Sequence, residues 1–425
     1  MKYDFRTAVG LETWRRDAQR YLVRSYDGRE TSVAVVADHQ SAFLTNGKSD
    51  GSAVGDAATQ VMLGVAGAVL HPHPRNACVV GLGTGSTAGW LADAPGMERV
   101  DVLELEQEVR KVAEYFNSVS RNAMRHHRVR QITGDAREFL LTRGENYDLI
   151  VSEPSNPCRA GVANLYTREF YANANQRLNE GGIFCQWLQG YEVEEGTVNT
   201  VIATLCQVFP KVEVWTTQGT DMLLICGKEN TPWSLESIRH RVKQEPLAEA
   251  LRSFWETDTA EGFLAACIAN SDFCAALAET SKTVNTDDFN HLEFSFARSV
   301  ARKANCSRDL ARAATRAGCF LPKLDAPVDG KLYLSERLHV PVRLWNNPTS
   351  EVLPLSLSAA AAPRLKQLNS FCAKRYQEFL TAPDLHRPCW RTGSCGLTPR
   401  REWERPTRWH PSTALQTPFQ ATSAF

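Results

Sequence analysis

The apolar run Ala77-Cys78-Val79-Val80 gives way to Gly81-Leu82-Gly83-Thr84-Gly85-Ser86 and then to a segment of helical character. A buried strand that breaks into alternating glycines at the start of a helix is how a parallel α/β sheet turns backbone N–H groups toward a nucleotide. Gly81 permits the tight turn, while Gly83 and Gly85 let a ligand and the helix approach the backbone without a Cβ in the way. About 20 residues on, Arg99 to Leu105 reads as a second strand ending in a carboxylate, the spacing of a ribose-binding acid, so Glu104 is expected to accept from two ribose hydroxyls. A third strand, Val129 to Thr133, runs into Gly134-Asp135-Ala136, where Asp135 can accept from an adenine amino group.

The pattern around this centre is an alternation. Tyr21 to Asn46 carries short β-rich runs separated by Asp27-Gly28 and closed by Asn46-Gly47, a small antiparallel lobe. Asp56 to Leu70 is a helix leading into the glycine-turn strand, and it carries Gln60 past the ligand edge. After Asp135 comes a buried strand, Tyr147 to Glu153, whose carboxyl end meets Pro154-Ser155-Asn156-Pro157. Two prolines within four residues make a stiff loop that presents Glu153 and Asn156 at the edge where open α/β sheets bind ligands. A helix over Thr167 to Leu178, a stop at Gly181-Gly182, a strand over Ile183 to Trp187, a helix over Glu194 to Phe209 and the paired strands Val212–Thr216 and Asp221–Cys226 complete the sheet.

The expected fold is thus α/β, a doubly wound Rossmann-like sheet with one antiparallel strand, a small N-terminal antiparallel β lobe and a C-terminal helical appendage. The expected divisions are a lobe over 1–55, the nucleotide-type domain over 56–228, the helical appendage over 229–345 and a tail over 346–425. The appendage is read as amphipathic helices over Leu235–Leu251 and Gly262–Leu277, tied to the core by Asp287 and Asp288. The tail is proline-rich and mildly basic, and reads as a disordered extension rather than a nucleic-acid-binding arm.

Composition removes several classes of function. Lys plus Arg and Asp plus Glu both number 48, so no general electrostatic attraction to nucleic acid or an anionic membrane exists. No CxxC pair occurs, and Cys78, Cys185, Cys206 and Cys226 fall in apolar runs where a reduced thiol packs as a small hydrophobe, so neither zinc nor a disulfide framework is expected. The His71-Pro72-His73 pair flanks a proline in a connecting loop and is not read as a metal site. Met1 to Gly10 lacks the apolar segment of a signal peptide, and no run of about 18 apolar residues is present, so the expectation is a cytoplasmic protein without a membrane span.

Glycine turn and Glu104 alone fit a nicotinamide dinucleotide as well as anything else. Asp135 at the third strand and the polar proline loop at the fourth favour a shorter adenosyl ligand whose reactive sulfonium stops just past the turn. From about Tyr21 to Phe296 the chain resembles the spermidine synthase family of polyamine aminopropyltransferases, built on the fold of class I S-adenosylmethionine-dependent methyltransferases. The resemblance is carried by Leu44 to Gly47, Asp56 and Gln60, Gly81 to Ser86, Leu103 to Leu105, Gly134 to Ala136, Tyr147 to Pro157, Gln186 and Thr286 to Asp288. It is nearest to divergent members whose loop reads Ser-Glu-Pro-Ser-Asn-Pro.

The resemblance implies transfer of an aminopropyl group from decarboxylated S-adenosylmethionine, a co-substrate, to putrescine or a related amine, with no prosthetic group. A primary amine has a pKa near about 10, so attack on carbon needs a carboxylate that binds the cation and takes its proton. In the family's Asp-Ser/Thr-x-Asp-Pro loop two aspartates do this; here Glu153 and Asn156 stand in their places, and Asn156 can orient but not accept a proton. The resemblance further implies that Gln60, Gly81, Gly83, Thr84, Gly85, Glu104, Asp135 and Ala136 line the adenosyl site. Thr84 stands where the family has an acid. Asp50 takes the place of a usual glutamine in the acceptor site, Gln186 is either an acceptor contact or a structural hydrogen-bonding group, and Tyr191 either lines the pocket or packs. Glu153 has its own structural alternative, a cap or an ion pair with Arg159. A homodimer through the N-terminal lobe is also implied. The loss of the acid at Thr84 keeps methyl transfer from S-adenosylmethionine open, and a non-catalytic nucleoside- or polyamine-binding module is the other alternative.

Overall fold

In the computed structural model, which describes residues 7–37, 41–157, 159–281, 283–299 and 306–344, the glycine turn lies at the centre of a large mixed sheet. A helix not anticipated from the sequence, α1 (Ala8–Tyr21), precedes four antiparallel strands, β1 (Leu22–Asp27), β2 (Ser32–Ala37), β3 (Ser41–Thr45) and β4 (Lys48–Ser52). The two-residue turn Asn46-Gly47 closes β3 on β4 with φ of 48° and 78°, the left-handed pair that a two-residue hairpin requires. The register then slips: Leu44 faces Ser49 and Phe43 faces Gly51, so Asp50 is the extra residue of a bulge. A bulge re-aims one side chain, and here it aims that of Asp50 at the loop that carries Glu153.

Helix α2 (Ala57–Leu70) is buried along its whole length rather than on one face, because it runs between the sheet and the later helices. It leads into β5 (Asn76–Val80), the glycine turn and α3 (Ser86–Asp93). Then follow β6 (Arg99–Glu104), α4 (Val109–Ala113), β7 (Val129–Thr133), α5 (Ala136–Thr142), β8 (Tyr147–Ser152), α6 (Arg168–Arg177), β9 (Leu178–Leu188) and α7 (Glu195–Cys206), with β10 (Lys211–Thr216) and β11 (Met222–Gly227) as a hairpin. The strand order is β12-β10-β11-β9-β8-β5-β6-β7, where β12 is Cys267–Ala269. Strands β5 to β9 are mutually parallel, and order reverses between β5 and β8. Ligands of open α/β sheets bind at the carboxyl ends of the strands at such a reversal.

Buried polar groups fix the strands in place. The fully buried Asp101 on β6 accepts two hydrogen bonds from Arg130 on β7, at 2.8 and 2.7 Å, and one from the Tyr147 hydroxyl on β8, at 2.8 Å. The buried Arg241 donates to the carbonyl of Ala68 at 2.5 Å, a cation at the negative end of α2.

Three expectations need correction. Gly181-Gly182 does not stop the chain before a strand but lies inside β9. The stretch Leu235–Leu251 is two helices, α8 (Leu235–Arg241) and α9 (Leu247–Phe254), because Pro246 cannot continue the first. Gly262–Leu277 is not one helix either: α10 (Ala260–Leu264) and α11 (Ser271–Thr280) flank β12, which pairs antiparallel with β10, so the main sheet has two antiparallel strands, β11 and β12, rather than the one expected. The appendage is otherwise helical, with α12 (His291–Ser299), α13 (Cys306–Arg316) and α14 (Gly330–Arg343). The proline-rich tail over 346–425 lies outside the described residues.

Candidate active site

Two adjacent strand ends build the centre of the site. The backbone N–H of Glu153 donates to the Val80 carbonyl at 2.9 Å, which sets the start of the proline loop beside the start of the glycine turn. Gly81, with φ +93°, has no room for a side chain: a Cβ there would lie 2.5 Å from the carbonyl oxygen of Glu153. Gly83 differs, since a Cβ there would meet nothing within 4 Å, so its bare backbone faces open space. Gly85 begins α3 and packs against Ala123. Of the three glycines, then, Gly83 leaves room for a ligand, while the other two let protein segments approach one another.

Glu104, at the end of β6, accepts from Leu82 N–H at 2.8 Å on one oxygen and from Glu106 N–H at 3.0 Å on the other. Each carboxylate oxygen has two lone-pair directions, so both remain able to accept from a ribose. Burial pushes the Glu104 carboxyl above its ordinary range, and the two N–H groups oppose the rise. Asp135 is exposed and caps α5, accepting from Arg137 N–H at 2.7 Å, with Ala136 buried behind it. Arg137 in turn reaches Asp287 at 2.5 Å, the tie between core and appendage expected of that acid.

Gln60 and Thr84 are buried and bonded, the threonine hydroxyl donating to the Gln60 amide oxygen at 2.7 Å and lying 2.9 Å from the Ser86 hydroxyl. The side chain of Asp50 is buried and carries Ser155 on one oxygen, at 2.9 Å, and Arg159 on the other, at 2.8 Å. Arg159 is therefore the partner of Asp50 and not of Glu153. Asn156 is buried and donates to the Gln189 amide oxygen at 2.6 Å and to the Tyr191 hydroxyl at 3.2 Å. Gln186 has no exposed surface: it accepts from the Tyr171 hydroxyl at 2.6 Å and donates to Leu165 O at 2.9 Å and to Ser152 at 3.3 Å. Its geometry is that of the structural hydrogen-bonding group.

Sequence reading passed over Gln189, Thr87 and above all Asp221. Asp221 lies immediately before β11 and accepts from Thr59 of α2 at 3.1 Å. The signal for it was an acid between the turn residues Gly219-Thr220 and a wholly apolar strand. Glu153 is hydrogen-bonded to the Thr87 hydroxyl. Burial pushes the Glu153 carboxyl up to about 8, Asp56 and Asp221 adding to the rise and Thr87 opposing it. Burial likewise pushes Asp221 up to about 7, with Asp56 adding and the Trp187 and Thr59 side chains opposing. Tyr191, next to both aspartates, is raised to about 12, again by burial first. Among the described residues no Lys, Arg or His forms an ion pair with Asp56, Glu153 or Asp221. Nor do any three His, Cys, Asp or Glu side chains among them converge as a metal site requires. Three carboxyls that influence one another and have no counter-cation among the described residues suit a ligand that is itself positively charged.

The family model described as a spermine/spermidine synthase domain matches residues 56–218. A polyamine aminopropyltransferase from Nitrosomonas europaea is 34% identical over 143 residues, covering 33% of this chain and 44% of that protein. Thermospermine synthase from Arabidopsis thaliana is 28% identical over 152 residues, covering 35% of this chain and 45% of it. The chain thus spans about half the length of the curated relatives it matches. Among solved structures, spermidine synthase from Thermotoga maritima aligns with 53% of this chain and 79% of its own, at 19% identity and a TM-score of 0.46. Among the described residues no helix is long and apolar enough to cross a membrane. The likeness to the spermine/spermidine synthase family is thus carried by residues 56–218.

Proposed function

We propose that the protein transfers the aminopropyl group of decarboxylated S-adenosylmethionine to putrescine or a related di- or polyamine. The observation that carries this reading is the placement of Glu153, Asp56 and Asp221, three carboxyls without a counter-cation among the described residues, beside the glycine turn at the point of strand-order reversal. In this reading Glu104 accepts from the ribose, Asp135 and Ala136 border the adenine, and the bare backbone at Gly83 meets the rest of the nucleoside. Gly81 and Gly85 shape that turn, and Gln60 and Thr84 wall it.

Glu153 binds the incoming ammonium and takes its proton. The freed amine attacks the methylene next to the sulfonium: the new C–N bond forms as the C–S bond breaks, and its electron pair goes to sulfur, giving neutral methylthioadenosine. One cation is consumed at sulfur as another appears at nitrogen, so little net charge develops and catalysis is mainly positioning. Asn156 orients the amine together with Gln189 and Tyr191. Asp50 and Gln186 act from behind, the first holding Ser155 and Arg159, the second holding Ser152 next to Glu153. A homodimer through the four-stranded sheet belongs to the same proposal, and light scattering of the purified chain tests it.

Incubation with decarboxylated S-adenosylmethionine and putrescine should yield methylthioadenosine and spermidine. S-adenosylhomocysteine from S-adenosylmethionine, with no methylthioadenosine from the decarboxylated donor, would replace the reading with methyl transfer. Neither product, with methylthioadenosine still bound, would leave a binding module.

A further inference from the structure

Thr87 stands in the first turn of α3, fully enclosed, and its hydroxyl contacts two acceptors at once: the Gln60 carbonyl at 2.7 Å and Glu153 Oε2. A threonine hydroxyl has one proton. If that proton goes to the Gln60 carbonyl, the contact with Glu153 is a hydrogen bond only when Glu153 itself supplies a proton. If it goes to Glu153, Oε2 needs no proton of its own, so the carboxyl is free to ionise, and the Gln60 carbonyl keeps only its place in the α2 ladder. The arrangement therefore has two forms that differ in where protons sit and not in where heavy atoms sit.

We propose that Thr87 is the proton-positioning residue of the crevice, donating to Gln60 while Glu153 rests as a neutral acid and turning to Glu153 when an arriving ammonium ionises it. The proposal rests on the reading of Glu153 as the group that takes the amine proton. Asp56, ahead of α2, and Asp221, just before β11, are the titratable groups that face Glu153, and each, when ionised, disfavours ionisation of Glu153. A cation brought by the substrate reverses that balance. The proton displaced from Glu153 on docking leaves to solvent. The ammonium proton then moves to the carboxylate, the amine forms its bond to carbon, and Thr87 returns to the Gln60 carbonyl. Thr87 touches neither reacting atom in this scheme: it makes either state of Glu153 accessible without rebuilding the pocket.

The test reads Glu153 directly. The infrared carbonyl band of a neutral carboxylic acid, identified as the band lost in Glu153→Gln, is followed against pH in the full chain. It should be present at pH 7 and vanish with a midpoint near about 8. In Thr87→Val the ionised carboxylate loses its hydroxyl donor, so the midpoint should rise by ~1 pH unit, and Thr87→Ser should restore it. Thr87→Ala serves the same purpose should valine prevent folding. A band absent at pH 7, or a midpoint unmoved by loss of the hydroxyl, overturns the proposal. In the transfer assay the acidic limb of kcat/KM should move with the band, whereas a merely structural role lowers the rate equally at every pH. A band that behaves as expected in a protein that makes no methylthioadenosine removes aminopropyl transfer and keeps the proton switch. Transfer whose limb does not move removes the switch alone.

Discussion

Arg159 donates to the Asp50 carboxylate at 2.8 Å, and so fastens the proline loop beyond β8 to the bulge of β4 more than a hundred residues earlier in the chain. The same guanidinium reaches Thr45 O at 3.0 Å, and Ser155 donates to the second Asp50 oxygen at 2.9 Å. The side chain of Asp50 is only 5% exposed, so its oxygens are satisfied by these donors and not by water.

Arg159→Ala should therefore destabilise the protein by about 2–3 kcal/mol, the effect of stripping one partner from a buried hydrogen-bonded charge. Transfer should fall through kcat, because Glu153 and Asn156 sit on the released loop, while methylthioadenosine binding at the glycine turn changes little. Chemical denaturation and a kcat-against-KM comparison check both halves. Equal loss of nucleoside affinity would mean that the clip supports the whole crevice.

Glu153→Gln should abolish amine transfer and leave methylthioadenosine binding within about twofold. The amide occupies the same space and can still meet the Thr87 hydroxyl, but it cannot take a proton at neutral pH. Calorimetric binding alongside the transfer assay separates the two effects. A similar loss of both would give Glu153 a structural part only.

The glycine turn, Glu104, Asp135 and Glu153 were legible because each lies at the carboxyl end of a parallel strand, and strand, turn and acid are contiguous in sequence. Asp221 was not. Its place depends on β11 running antiparallel to β9, with Met222 opposite Leu188, which brings the hairpin turn back to the edge where the parallel strands end. That pairing joins segments more than 30 residues apart, and no local pattern encodes it. Thr87 was missed for a related reason: within α3 it is an ordinary helical threonine, and only the packing of α2 and the proline loop gives its hydroxyl two acceptors. Gln186 was read at the right strand end, but the side to which its amide turns is set by Tyr171 on α6. Strand β12 is three residues long and flanked by helices, too short for its alternation to stand out.

Glu104→Ala should weaken methylthioadenosine binding by roughly 10- to 100-fold, through loss of the ribose acceptor and of the oxygen that pairs Leu82 N–H. Glu104→Gln keeps one acceptor oxygen for Leu82 and should fall between the alanine variant and the natural protein. Binding titrations of the two variants rank the contributions. Unchanged affinity in Glu104→Ala would take the ribose away from this residue.

Asp221 gives a stability signature that needs no substrate. Its carboxyl is raised to about 7 in the folded protein, above an ordinary value of 3.8. Between those limits the folded state binds more protons than the unfolded state, so stability falls as pH rises. The contribution is intact below about pH 4 and is lost as pH passes through about 7. Replacing the group by a neutral isostere removes that loss, so Asp221→Asn should unfold later than the natural protein at pH 8, by on the order of 1–2 kcal/mol, with the gain shrinking toward pH 5. Glu153→Gln should behave alike with its window displaced upward, in line with a carboxyl raised to about 8. Urea unfolding of the variants at pH 5 and pH 8 measures the effect. A gain for Asp221→Asn that is the same at both pH values would mean that Asp221 is already ionised in the folded crevice at pH 5. In that case the crevice would hold its negative charge before any amine arrives, and an acceptor cation would find Asp221 already charged.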